Sequence, residues 1–255
     1  MIALTREVSP AIVRCELTHL PRQPIDVSLT RAQHLAYERA LEVAGCTVVR
    51  LPADESLPDS VFIEDVAVVF DEVAIVTRPG AASRRLETPA VADSLRQHRP
   101  LCAIHDPGTL DGGDTLVVGR RVFVGLSGRT NREAVAQMRR ILNPHGYSIE
   151  EVEVDVRGCL HLKSAVTAID DETLLINRRW ADAKQFAGLA VIDVAQSEPH
   201  AANVLRVGGS IICAAAYPMT QQKLEAHGVR VTPVDVSELA KAEGAVTCCS
   251  LIFKE

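Results

Sequence analysis

Aromatic residues are scarce. Phe, Tyr and Trp make up 4% of 255 residues, with one Trp. The core must therefore be mostly Val, Leu, Ile and Ala. Although 47% of the chain is hydrophobic, no uninterrupted apolar run reaches the roughly 18 residues of a membrane span. Basic charge is not in excess either. The formal net charge of -6 argues against nucleic acid or an anionic membrane as main partner. The seven cysteines (15, 46, 102, 159, 213, 248, 249) include no CxxC pair and no Cys/His zinc spacing. Their odd number and scatter suggest reduced thiols. No basic-then-apolar leader is visible, so a cytoplasmic protein is expected. No linker or low-complexity stretch divides the chain, which is long enough for a full core.

What recurs is a faint repeat. Each of five units reads strand, helix, strand, strand. The first has strands at 2–5 and 48–51, a helix at 31–44 stopped by Gly45, and a third strand over 61–70 interrupted by Glu64-Asp65. The second has a helix at 89–97, and the third one at 130–142 with Thr130 as its cap. The fourth has a weak helix at 181–186. The fifth has helices at 220–227 and 237–242 and ends on the strand 249–253. Units of about 50 residues suggest a ring in which none buries its apolar face alone. An ordinary doubly wound sheet also alternates strand and helix. The extra strand per unit favours the ring.

The chemistry falls at matching places, in the turn before each third strand. These turns carry Asp59, Glu64 and Asp65; Asp111 and Asp114; His161; Asn203; and Cys248. In a closed ring such points face one axis. Each residue also has a plainer reading. A buried cysteine is usually a small hydrophobe, and neighbours on a strand face opposite ways, so only one of Cys248 and Cys249 can enter a pocket. His161, between two leucines, could be a satisfied structural residue. Asp111-Gly112-Gly113-Asp114 could be only a hairpin turn. Arg84-Arg85 and Arg129 could be surface residues. Glu64 and Asp65, however, lie among Val, Phe and Ile, where a carboxylate needs a cation or donors. No Lys or Arg is near in sequence, so that cation could be a ligand. Carboxylates for a planar cation and arginines for a carboxylate together describe a guanidino amino acid. A thiolate would attack its central carbon, and a histidine would protonate the departing amine.

Six stretches, in order and spacing, resemble the dimethylarginine dimethylaminohydrolase family: 57–65, 77–85, 109–114, 125–131, 161–164 and 247–250. The resemblance spans the whole length. It implies the five-bladed α/β propeller (pentein) fold of the guanidine-modifying superfamily, as a single catalytic domain over 1–255. It implies hydrolysis of asymmetric dimethylarginine and monomethylarginine to citrulline and a methylated amine, through a covalent cysteine thiouronium. The alternative is an arginine deiminase or amidinotransferase of the same superfamily. Carried over, Cys248 is the nucleophile and His161 the acid, then base. Asp65 meets the guanidinium, and Asp111 assists there or orients His161. Asp59 and Glu64 line the same wall, and Arg84 and Arg129 clamp the substrate carboxylate. The backbones of Leu17 and Ala242 meet the amino-acid end, Ala242 replacing a larger aliphatic residue. No cofactor or metal is implied, although a thiol beside an imidazole could trap zinc. The partner is a small molecule, and a homodimer stays open. A propeller kept only for binding would have lost these groups, and all are present.

Overall fold

The structure, a computed structural model, describes residues 1–255. It contains five three-stranded sheets. The first chain segment supplies β1 (Ile2–Arg6), α1 (Val27–Val43) and β2 (Thr47–Leu51). Asp26 caps α1, its carboxylate accepting from Leu29 N at 3.0 Å. The buried face of α1 (Gln33, Tyr37, Ala40, Leu41) recurs at three- and four-residue intervals, as an amphipathic helix requires. The chain leaves α1 through Gly45 at φ +97°, the left-handed region that suits glycine.

The same plan then repeats. The second sheet has β3 (Ala67–Val69), β4 (Ala74–Val76), α2 (Thr88–Leu95) and β5 (Leu101–Ala103). The third has β6 (Thr115–Val118), β7 (Arg121–Leu126), α3 (Arg132–Leu142) and β8 (Ser148–Glu153). In the fourth, the one-turn helix α4 (Leu162–Ala165) leads into β9 (Val166–Ala168), β10 (Thr173–Ile176) and β11 (Ala190–Asp193). The fifth has β12 (Val204–Val207), β13 (Ser210–Ala214), α5 (Pro218–Ala226) and β14 (Arg230–Val234). After α6 (Ser237–Ala240), the last strand β15 (Leu251–Phe253) returns to β1.

The middle strand of each sheet pairs antiparallel on one side and parallel on the other. The unit is therefore strand, strand, helix, strand. The expected grouping is shifted by one strand: the third strand of each sequence unit pairs with the first strand of the next, as β3 does with β4. The last such strand, β15, pairs with β1 (Ile2 opposite Phe253) and closes the ring. The antiparallel strands β3, β6, β9, β12 and β15 lie innermost, around an axial space of about 270 Å³.

Five apolar clusters hold the ring together, each spanning neighbouring sheets. Ile2 and Leu4 of the first sheet meet Ala67 and Ala74 of the second, for example. Ala3 and Leu41 meet Val207 and Ile212 of the fifth. No sheet buries its apolar face alone, as the repeat implied.

Three local expectations change. The strand over 61–70 is only Ala67–Val69; residues Ile63–Val66 form a 3-10 turn that aims Glu64 and Asp65 at bonding partners. Asn131, not Thr130, caps α3, its amide oxygen accepting from Ala134 N at 3.0 Å. Thr130 Oγ1 instead donates to buried Asp114 at 2.7 Å. The weak fourth helix is a single 3-10 turn, Ala183–Phe186, which buries Phe186 against Phe123 at 5.0 Å between ring centroids.

Leu41 is wholly buried in the seam joining the last and first sheets. Leu41→Ala is expected to cost about 2–5 kcal/mol of stability by leaving a cavity there. Urea unfolding should show a lower midpoint with an unchanged slope.

Candidate active site

Five turns, one from each repeat, converge above the axial space. Cys248 lies in the last, at 246–249, just before β15. The turn holds Cys248 as expected and extends through Cys249, which was expected to begin the strand. The Cys248 carbonyl accepts from Glu64 N at 3.1 Å, which fixes the turn against the first repeat. Cys248 is partly exposed and borders a cavity of about 30 Å³, together with Asp59, Asp65, Arg129, His161 and Ala242. Cys249 points into the core and is wholly buried. The two thiols do face opposite ways, through the geometry of a turn.

His161 sits at an extended position directly before α4. Its Nε2 is 3.0 Å from Asp111 Oδ2, and its Nδ1 is 3.8 Å from Asp65 Oδ1. Asp111 is fully buried behind the imidazole, and its other oxygen accepts from Gly80 N at 2.8 Å. That is the geometry of a group orienting the ring. Burial alone would depress the His161 pKa. Asp65, the hydrogen bond to Asp111 and nearby Asp114 outweigh it and raise the value to about 9. The ring is therefore an imidazolium at neutral pH. The Cys248 thiol is pushed far up, first by burial and then by Glu64 and Asp65.

Asp65 is held by three groups. Arg84 Nη1 donates to it at 2.5 Å, Gly113 N at 3.1 Å, and the imidazolium lies beside it. Burial raises its pKa, but His161 and Arg84 together bring it below the usual carboxylate range. The glycines beside it are there for space. A Cβ at Gly113 would sit 2.7 Å from His161 Nδ1, and one at Gly112 2.0 Å from the Glu64 carbonyl oxygen.

Arg84 is not a surface residue. It is 5% exposed, pairs with buried Glu87 at 2.8 Å, and donates to the carbonyls of Phe62 and Asp59. Most of its donors are thus engaged, though it still borders the cavity. Arg129 stands at the mouth, donating to Thr18 Oγ1 at 2.9 Å. Asp59 accepts from Glu16 N at 3.1 and 3.2 Å. Leu17 is half-buried against the closing seam, between residues these two hold.

Glu64 departs from expectation. It does not share the cavity wall but faces the axial space. Lys163 Nζ donates to one oxygen at 2.6 Å and Thr247 Oγ1 to the other at 2.7 Å. The cations missing near Glu64 and Asp65 in sequence are thus Lys163 and Arg84. Sequence reasoning also assigned no role to Thr247, Glu87 or Glu243. Glu243 accepts from three backbone amides of the 16–20 segment. The one available signal was negative, namely buried acids without a nearby cation. Asp65, Asp111 and His161 bring ligand atoms within 4.8 Å of one another. These atoms are already satisfied by each other, Arg84, Gly80 and Gly113, so the trio needs no ion to be partnered.

The family model for "N,N dimethylarginine dimethylhydrolase, eukaryotic" matches residues 22–253. The N(G),N(G)-dimethylarginine dimethylaminohydrolase of Pseudomonas aeruginosa is 38% identical over 230 residues, covering 89% of this chain and 90% of that one. That of Streptomyces coelicolor is 39% identical over 257 residues, covering 99% and 97%. The chain belongs to the dimethylarginine dimethylaminohydrolase family. The fold agrees: a Pseudomonas aeruginosa structure, a cysteine-to-serine mutant complexed with citrulline, superposes at TM-score 0.93 with 35% identity, covering 98% of each chain. The N-terminal domain of a cyanobacterial arginine dihydrolase shares the fold at TM-score 0.89 and 17% identity. The five sheets are thus the pentein propeller of the dimethylarginine dimethylaminohydrolases.

The His161 pKa is raised on folding, so the imidazolium's contribution to stability is fully present below about pH 6.5, its unfolded value. It is lost as pH rises through about 9. The stability advantage of wild type over His161→Gln is expected to shrink across that window. Urea unfolding of both proteins at stepped pH measures it.

Proposed function

We propose that this chain, acting as one catalytic unit, hydrolyses Nω-methylated arginines to citrulline and a methylated amine. The observation that carries this is the shared cavity. It brings a partly exposed thiol, an imidazolium and a carboxylate held ionised to one small space, lined also by Arg129 and a second carboxylate, Asp59. The citrulline bound to the Pseudomonas aeruginosa relative supports the same product class.

Asp65 receives the guanidinium nitrogens. The bound cation offsets the negative field that, with burial, keeps Cys248 protonated, so the thiol gives its proton to solvent and the thiolate forms beside its target. Sγ adds to the central carbon, making a C–S bond. His161 gives a proton to the methylated nitrogen, and the C–N bond breaks to release dimethylamine or methylamine. The neutral imidazole then takes a proton from water as its oxygen adds to the thiouronium carbon. The C–S bond breaks, the remaining hydroxyl proton passes to the departing sulfur, and citrulline leaves with the thiol restored. Asp111 keeps the ring in place throughout. Asp59 and Arg129 take the ammonium and carboxylate of the substrate, with the Leu17 and Ala242 backbones. Arg84, mostly engaged by Glu87 and Asp65, acts chiefly by holding Asp65. Glu64 acts through Thr247, on the turn that carries the nucleophile.

No helix is long and apolar enough to cross a membrane. All seven cysteines are free, which supports a reducing, cytoplasmic setting.

Cys248→Ser is expected to abolish turnover with the fold retained, while Cys249→Ser keeps most activity. Citrulline release from asymmetric dimethylarginine, monomethylarginine and arginine, assayed in parallel, tests this. A preference for arginine would favour a deiminase.

A further inference from the structure

Residue 243 breaks a local rule. The chain leaves α6 there with φ +59°, and the residue is glutamate. Glu243 N reaches Ala240 O at 3.1 Å and Gly244 N reaches Leu239 O at 3.0 Å, a Schellman-type end to the helix. Such a turn favours glycine at its left-handed position. The neighbouring Gly244 serves another purpose: a Cβ on it would lie 2.2 Å from Phe62 Cε1. A side chain is thus kept at 243 against the backbone's preference.

Its contacts explain why. The Glu243 carboxylate accepts from three successive amides, Thr18 N at 2.9 Å and His19 N and Leu20 N at 2.6 Å each. Successive amides aimed at one anion form a cradle. The two stretches lie at opposite ends of the chain. Glu243 directly follows Ala242, and the cradle directly follows Leu17. Glu16, Ala242 and Glu243 all border the cavity beside Cys248.

We propose that Glu243 is a positioning residue for the amino-acid end of the substrate. Its carboxylate ties segment 18–20 to the 242–244 turn and so sets the Leu17 and Ala242 backbones against each other. This rests on the reading of the cavity given under Proposed function. Asp59 and Arg129 hold the same segment, at Glu16 N and Thr18 Oγ1. Both have a second task there, toward the substrate's own ammonium and carboxylate. Glu243 has no such task, so its tie persists when substrate engages the other two. The three amides fix where the segment sits against the cavity.

The test uses the full chain with Glu243→Gly, Glu243→Gln and Glu243→Asp. Glu243→Gly is expected to keep or raise Tm, because glycine suits this φ. Its amides at 18–20 should exchange with deuterium roughly tenfold faster or more. KM for asymmetric dimethylarginine should rise roughly tenfold with kcat within about threefold, the split expected when substrate and transition-state binding weaken together. Alkylation of Cys248 by iodoacetamide, which does not use the amino-acid subsite, should not slow. Glu243→Gln should fall between wild type and Glu243→Gly, and Glu243→Asp should restore part of both the protection and KM. Unchanged exchange at 18–20, or faster exchange with unchanged affinity, overturns the proposal. If the wild type releases no citrulline from any of the three guanidines, the activity reading fails. The tie is then decided separately, by exchange and by calorimetric Kd for citrulline in the same variants.

Discussion

A buried carboxylate, Asp65, is the charge around which the hub is arranged. Left alone in so dry a place it would protonate or unfold the region. Instead it joins a row of charges alternating in sign: Glu87, Arg84, Asp65, His161 and Asp111. Successive members are 2.8, 2.5, 3.8 and 3.0 Å apart. Each neighbour both stabilises and conditions the next. His161 and Arg84 keep Asp65 ionised, and Asp65 and Asp111 keep the imidazole protonated despite burial. The row holds one negative charge more than positive, the sign that receives a guanidinium. Such a network is costly to break at one member, because the partner left behind is a buried unpaired charge, at about 3–5 kcal/mol.

Two adjacent acids divide the hub into two regions. Asp65 faces the cavity of the thiol, while Glu64 faces the axial space and holds Lys163 and Thr247. The Glu64 amide also bonds the Cys248 carbonyl. One 3-10 turn thus supplies a carboxylate to the cavity and, a residue earlier, the fastening of the turn that carries Cys248. Asn203 completes that fastening, exchanging hydrogen bonds with Thr247 at 3.0 and 3.1 Å.

The site exists only once the ring is closed. Cys248 lies just before the strand that pairs the chain's end with its beginning, and the cavity's charged groups, from Glu16 to Glu243, are spread over several repeats. Closing that seam orders contacts between residues more than two hundred apart, a high-contact-order step that comes with a loop-entropy cost. It also brings segment 16–20 over the cavity, where it is held by the first repeat, the third and the final turn.

The five-part repeat, the seam-forming apolar faces and the six motifs were legible in the residues, because strand and helix periodicity and short-range turn chemistry are local. So was the convergence of thiol, imidazole and carboxylates, which follows from placing equivalent turns around one axis. The grouping of strands was not, since pairing β3 with β4 rather than with β2 depends on which hydrogen-bonding edges meet in space. Nor was the fate of the buried acids. Lys163 reaches Glu64 across 99 positions, and Arg84 leaves the surface because Asp65 and Glu87 await it inside. By itself the sequence determined the family, the repeat and the candidate reactive groups, which are matters of residue type and spacing. Only the tertiary structure decided which carboxylate faces the cavity and which meets lysine, because charge pairing is settled by a few ångströms between residues far apart in the chain.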